Sequence, residues 1–531
     1  MKTKLIITIT ILLLVFTNCK TAEKVAEKPP LSKKQITKLY LDIISEIEFI
    51  DAEAIAVRNN NKKVKWNDYK DYHKTKFDKI TSIEEFKTAF LNFAKGFTNG
   101  HAHFEFKLDD TDKHKPTKFS NIKIGYTHPT LSFFDLESKK EIAFINNKSI
   151  KDVFNFFENY ETVSSSTIRS KRSFKRAFER NSLKIDDNYP TEITFKDGSK
   201  KAVAYKVPDK IKSPLELYSK GLDLSKYTDW EKVSTGYKAA LLKRNDVALI
   251  KIKNFLYFKG RGGNITCDSI AADSTICSDI RKIKHGLVKI KDHINYLIFD
   301  LQDNFGGSEN TPFLKMFSPE PFYDLRVQYK KTGLLKNESL RNHLNYNNTS
   351  AENWFKNIEK NGIYDNIPMG EFLPTRADFC RGSDNCEIKP IQPNDNITKG
   401  LKKYIILVNE GTASSADDFA FRFSKFPKTV IAGQPQSADL TYALVTVLFY
   451  LDENNTIQKM YLGNNQRDYT CNGIELGKIQ IPYSKTADED RFMFHCNPLD
   501  LDFEVPLTKE NFKNREVDVL QKTIIHFLEK S

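Results

Sequence analysis

Two stretches of the chain carry residues whose types and spacing could do chemistry. The first is Thr412-Ala413-Ser414-Ser415-Ala416-Asp417-Asp418. It follows an apolar run, Tyr404-Ile405-Ile406-Leu407-Val408, that reads as a buried strand, and a turn signal, Asn409-Glu410-Gly411. Where a strand turns sharply into a helix, unpaired N–H groups and the positive end of the helix dipole favour the oxyanion that a serine hydroxyl creates when it attacks a carbonyl. The competing reading makes Ser414 or Ser415 an ordinary N-cap. The second stretch is Asn99-Gly100-His101-Ala102-His103-Phe104-Glu105-Phe106. A His-x-His pair on a strand puts both imidazoles on one face, as a metal site would need, but no further ligand stands nearby and a plain structural histidine is the commoner case.

The elements around these residues have a consistent pattern. Tyr296-Leu297-Ile298-Phe299-Asp300-Leu301 is another buried strand, ending in Gln302-Asp303-Asn304-Phe305-Gly306-Gly307. Residues 246–258 alternate as a strand, residues 278–291 read as a helix, and the strand–helix–strand order predicts parallel units. Further strands are expected at 429–433 and 443–448, and a closing helix at 517–529. Residues 33–97 are helical, with Ile36, Leu39, Tyr40, Ile43, Ile44 and Ile47 on one apolar face and Phe86, Ala89, Phe90, Phe93 and Phe97 on another. Ser82 and Glu85 form a capping-box start for the second face. Residues 308–400, containing Trp354 and a cysteine pair, read as an insertion serving as a lid or substrate-facing region. The basic run KRSFKRAFER at 171–180 reads as a helix surface, with a binding patch as the alternative.

Together, DLQDNFGG at 300–307 and GTASSADD at 411–418 resemble the S41 family of serine peptidases, the tail-specific or C-terminal-processing proteases. That family has a strand ending in a DLRxNxGG-like turn and a later strand ending in a GxASAxE-like turn that carries the nucleophile. The resemblance implies Ser414 as nucleophile, with Asp417 where the family has Glu and Gln302 where it has Arg. NGHAHF is similar to the family's DGHT-like motif, which implies His101 as general base. The strand-turn at 141–150 is similar to the family's PDZ-like VxxINGxxI, residues 246–258 to its YIRIxxF strand, and LDFEVPLT to its PDxxV tail. Better-known members use a lysine in a strand–GxxTxGK turn, but Gly433-Gln434-Pro435-Gln436-Ser437-Ala438-Asp439 holds none, and an Asp is no direct base without a strongly raised pKa. That leaves His101 as the base, with Glu475 as the group that orients it. The resemblance also implies an oxyanion hole from the Ser415 N–H and one from Gly306 or Gly307, against the plain reading of Gly306-Gly307 as a turn.

Residues 1–18 read as an export signal: Lys2 and Lys4, then a mostly apolar stretch from Leu5 to Phe16 too short to span a bilayer. Cys19 follows, as in bacterial lipoproteins, where that thiol is acylated. Residues 20–32, with Pro29-Pro30, read as a tether. Six cysteines remain, Cys267 and Cys277, Cys380 and Cys386, Cys471 and Cys496. In an exported protein short-loop disulfides are expected, with zinc as the rival that no clustered Cys/His spacing supports. The formal charge is +13 over 531 residues, with lysines scattered among acids and no arginine-rich stripe, which argues for a solvated surface attracted to anionic lipid and against nucleic acid.

The expected fold is therefore α/β: a ClpP/crotonase-like protease core at 236–531 with the insertion at 308–400. An N-terminal helical bundle at 33–97 and a small PDZ-like or mixed α/β region at 98–235 precede it, after the signal at 1–18 and the tether at 19–32. The expected function is an exported, lipid-anchored serine endopeptidase, in the periplasm or at the cell surface, cleaving extended proteins or peptides without cofactor or metal. The alternative is a lipoprotein on the same scaffold that binds peptides or another ligand and does not cut. An acyl-CoA enzyme is set aside because export removes it from CoA.

Overall fold

The computed structural model describes residues 31–97, 104–106, 118–162, 166–208, 222–257, 276–307, 310–323, 326–338, 340, 348–374, 390–394, 397–438, 444–463, 469–487 and 498–529. The apolar runs around the two motifs form neighbouring strands, Tyr296–Asp300 and Lys403–Val408, paired in parallel with Phe299 opposite Ile406. They lie in the middle of a seven-stranded sheet ordered Glu231–Thr235, Ala239–Arg244, Val247–Ile252, Tyr296–Asp300, Lys403–Val408, Thr429–Gly433, Phe503–Glu504. The first two pairings are antiparallel and the rest parallel.

The runs are continuously apolar because both sheet faces are covered. Leu297, Phe299, Ile406 and Val408 pack on one face against the helices Ile276–Ile290 and Ser415–Ser424. Ile298, Ile405 and Leu407 point the other way, against Val519, Leu520 and Ile524 of the closing helix Arg515–Phe527. The strand expected over 246–258 stops at Ile252; Phe255 makes only an isolated bridge to Gly307.

A second, antiparallel sheet runs Phe104–Phe106, Ile474–Pro482, Leu444–Leu451, Ile457–Gly463. Its Val445, Val447, Ile479 and Ile481 share one core with the helices Lys33–Ile50 and Ile83–Phe97, and with Tyr329, Trp354 and Phe355 from the 308–400 segment. The N-terminal helices therefore bury their apolar faces against the sheet and the insertion as well as each other. The capping box forms: Glu85 accepts from Ser82 N at 3.2 Å and donates its own N–H to Ser82 Oγ at 3.2 Å.

The central region has its own core, built on Ile142, Ile145, Phe154, Phe174, Phe178 and Ile193. The strand-turn at 141–150 is a tight hairpin through Asn146 and Asn147, both at positive φ (48° and 61°), the pairing that a two-residue type I′ turn asks for. The basic run lies on the helix Thr167–Glu179, but not all on its surface. Lys171 is buried, donating to the carbonyls of Thr127 and Thr130 at 2.8 and 2.7 Å, and burial pushes its pKa down to about 8.

Among the described residues no helix is long and apolar enough to cross a membrane. The expected leader, Cys19, and the cysteines Cys267, Cys380, Cys386 and Cys496 lie outside the described residues. Cys277 is disulfide-bonded. Cys471 keeps a free thiol, 3.6 Å from the Gly473 carbonyl, which overturns the expected Cys471–Cys496 bridge.

Candidate active site

The turn after Val408 is closed by short-range bonds. Asn409 Oδ1 accepts from Gly411 N at 2.8 Å, Asn409 N donates to Thr412 Oγ1 at 3.0 Å, and Thr412 Oγ1 donates to Leu301 O at 2.9 Å. The last bond ties this turn to the neighbouring strand. The chain then passes through Ser414 at φ 58°, ψ −125°, a conformation that L-residues rarely adopt and that costs about 1–3 kcal/mol. The helix begins at Ser415, with Asp418 N donating to Ser414 O at 3.0 Å.

This separates the two serines. The Ser414 side chain makes no cap hydrogen bond and is half-buried, so the N-cap reading does not account for it. The Ser415 hydroxyl donates to the Gly307 carbonyl, a structural bond across the two turns. Asn310 fastens the same helix start, donating from Nδ2 to Ser415 O at 2.9 Å and to Asp418 Oδ2 at 2.6 Å. Asp417 is fully buried on the helix.

The Gly306-Gly307 turn packs directly against Ser414. A Cβ on Gly306 (φ 92°) would stand 2.7 Å from Ser414 Cβ and 2.8 Å from Ser415 N, and one on Gly307 (φ 146°) 2.1 Å from Phe255 C. Both positions therefore need glycine for closeness as well as for backbone angle. Asn304 organises the turn: Oδ1 accepts from Gly306 N at 2.9 Å, Nδ2 donates to Ile252 O at 3.1 Å, and its carbonyl accepts from Ala413 N at 3.0 Å. The Gly306 N–H is thus committed, whereas no described residue accepts from the N–H groups of Gly307 and Ser415.

A largely buried ionic cluster, which no sequence motif announces, braces both turns from behind. Glu410 is fully buried, with Oε1 2.7 Å from Arg515 Nη1, 3.7 Å from Arg172 Nη1, and accepting from Tyr126 OH at 2.7 Å. Asp303, at φ 58°, receives Arg172 at 2.9 Å and Arg515 at 3.0 Å, and its own N–H donates to Asn409 Oδ1 at 2.9 Å. Burial alone would raise the Asp303 pKa, but Arg515 and then Arg172 hold it well below the usual carboxylate range. Behind Asp303, Asp300 accepts from Lys251 Nζ at 3.0 Å and from Tyr227 OH at 2.6 Å. Gln302, where the S41 motif has Arg, donates to Glu516 O at 3.0 Å, and the cations at Asp303 come instead from Arg172 and Arg515.

His101 lies outside the described residues, as do Gly100 and His103. The strand Phe104–Phe106 that follows pairs with Ile474–Pro482, Phe104 opposite Ile479. Glu475 stands on that same partner strand. Its Oε2 accepts from Tyr469 OH at 3.0 Å, while Oε1 is buried, has no hydrogen bond among the described residues, and lies 3.8 Å from Lys478 Nζ. The turn where better-known S41 members carry lysine reaches the site, Ser437 N donating to Thr412 O at 3.0 Å, but residues 434, 436 and 437 are Gln, Gln and Ser. Among the described residues no group of three or more His, Cys, Asp or Glu could hold a metal ion.

No protein-family model and no curated protein matches the chain. Solved structures do. Mature CPAF complexed with lactacystin shares 12% identity, covering 92% of this chain and 97% of that chain at TM-score 0.57. A point mutant of CPAF shares 12%, covering 93% and 98% at TM-score 0.57. The match covers nearly the whole of both chains, so the chain shares the α/β fold of mature CPAF.

Proposed function

We propose that the chain is a serine endopeptidase of the S41 type that cleaves extended proteins or peptides. The observation that carries this reading is Ser414 itself: a residue that does not cap the helix with its side chain, at a positive-φ turn between a buried strand and a helix, with a glycine backbone close against its Cβ. Proteins keep such strain where it positions a reacting group. Ser414 Oγ attacks the scissile carbonyl, His101 takes its proton and returns it to the leaving amine, and Glu475 holds the imidazole. The tetrahedral oxyanion lies between the N–H groups of Ser415 and Gly307, since Gly306 spends its own on Asn304. Export and lipid attachment at Cys19 would place the enzyme on a bacterial membrane, facing the periplasm or the outside.

The test is cleavage of casein and a peptide library by the purified chain, beside Ser414→Ala and His101→Ala. Loss of cleavage in both variants supports the peptidase. Three proteins with the same low background would favour the peptide-binding scaffold.

A further inference from the structure

Arg172 apart, the basic face of the helix Thr167–Glu179 has no role in the peptidase reading, yet it walls a cavity of about 390 Å³ against the start of the closing helix. Five cations line it, Arg172, Lys175, Arg176, Lys513 and Arg515, against two carboxylates, Asp303 and Glu516. Most of these charges are already spent. Asp303 holds Arg172 and Arg515, Glu179 holds Lys175 at 2.7 Å, and Glu516 faces Lys226 at 3.5 Å and Lys251 at 3.9 Å. Arg176 and Lys513 have no acidic partner among the described residues. Two positive charges are therefore left over in one concave site. Phe512 and Leu136 give the cavity an apolar wall.

We propose that this cavity binds a small organic dianion, a phosphate monoester, whose two charges meet Arg176 and Lys513 and whose apolar body lies on Phe512 and Leu136. The guanidinium fork matches phosphate oxygens in pairs, and the volume falls within the range of small-molecule sites. The site is separate from Ser414 but mechanically joined to it, because Arg172 and Arg515 line the cavity and also grip Asp303 and Glu410 beneath the two turns. The proposal does not require that the chain cut peptides.

Calorimetric titration of the full chain with phenyl phosphate, at fixed ionic strength, tests it. Expected is saturable one-site binding, weakened by about tenfold or more in the double variant Arg176→Gln/Lys513→Gln, with inorganic phosphate binding more weakly than phenyl phosphate. Absence of saturable binding up to ~10 mM phenyl phosphate, or a double variant with unchanged affinity, would overturn the site. Equal affinity for inorganic phosphate would leave Phe512 and Leu136 no part in recognition and overturn the monoester assignment. Peptide cleavage without ligand should be the same in the double variant as in the wild type, so a failed peptidase assay and a failed titration remain separate results.

Discussion

Replacing Arg515 by methionine should loosen both turns beside Ser414 by about 3 kcal/mol. Arg515 Nη1 stands 2.7 Å from Glu410, which is fully buried, and its Nη2 3.0 Å from Asp303. Removing one partner of a buried pair costs about 3–5 kcal/mol, because the other charge stays buried without compensation. The two carboxylates do not suffer equally. Asp303 is a third exposed and keeps Arg172 at 2.9 Å, so water and that guanidinium absorb much of its loss. Among the described residues Glu410 keeps Arg172 at 3.7 Å and the Tyr126 hydroxyl, so the cost falls mainly there, at the low end of the range. The chain has several cores and will not unfold in two states. The assay is therefore native-state hydrogen exchange of peptides covering 301–307 and 409–418. A loss of ~3 kcal/mol is roughly a hundredfold drop in protection. Adding Glu410→Gln should recover a large share, since the stranded charge is gone. Protection within about threefold of wild type in Arg515→Met, or a double variant looser than the single one, would refute the argument.

Gly306→Ala would put a methyl 2.5 Å from Ala413 O and 2.8 Å from Ser415 N, so kcat should fall by about 10²–10³ with little change in KM; a rate within threefold of wild type would contradict the close approach. Ser414→Gly should be more stable than Ser414→Ala by about 1–2 kcal/mol, because only glycine adopts φ 58°, ψ −125° without strain, and the reverse order in thermal melts would show that the turn is relaxed. His73 is buried among rings of the N-terminal helices, and burial, then Arg58 and Lys76, push its pKa down to about 3. A depressed folded pKa means its contribution is whole above pH ~6.5 and drains as pH falls toward 3, at up to ~1.4 kcal/mol per pH unit. His73→Gln should flatten that part of the stability–pH curve, and superimposable acid-unfolding curves would count against it.

The two motif strands were legible because a strand covered on both faces must be apolar at every position, and Tyr404 to Val408 shows that directly. The capping box at Ser82 was legible for a similar reason, since both partners lie within one turn. In the sequence a motif alone separates Ser414 from Ser415; in the fold Ser415 spends its hydroxyl on the Gly307 carbonyl. The same holds for the two glycines: spacing cannot say that Asn304 folds back onto Gly306 N–H. The brace of Glu410, Asp303, Arg172 and Arg515 left no trace because its members come from four separate segments, and each alone looks like an ordinary surface charge. The apolar faces at 33–97 announced that something would cover them, but periodicity carries no information about what. Here it is the sheet strands within residues 444–482, far off in sequence, together with the insertion, whose Trp354 packs in that core.

The central claim is that Ser414 is the reactive hydroxyl. Treating the full chain with a serine-directed fluorophosphonate and locating the adduct by peptide mass spectrometry tests this most directly. One adduct, on Ser414, lost in Ser414→Ala and slowed in His101→Ala, is the predicted result. An adduct on Ser415 or on another serine, or no adduct under conditions that label a known serine peptidase, would contradict it.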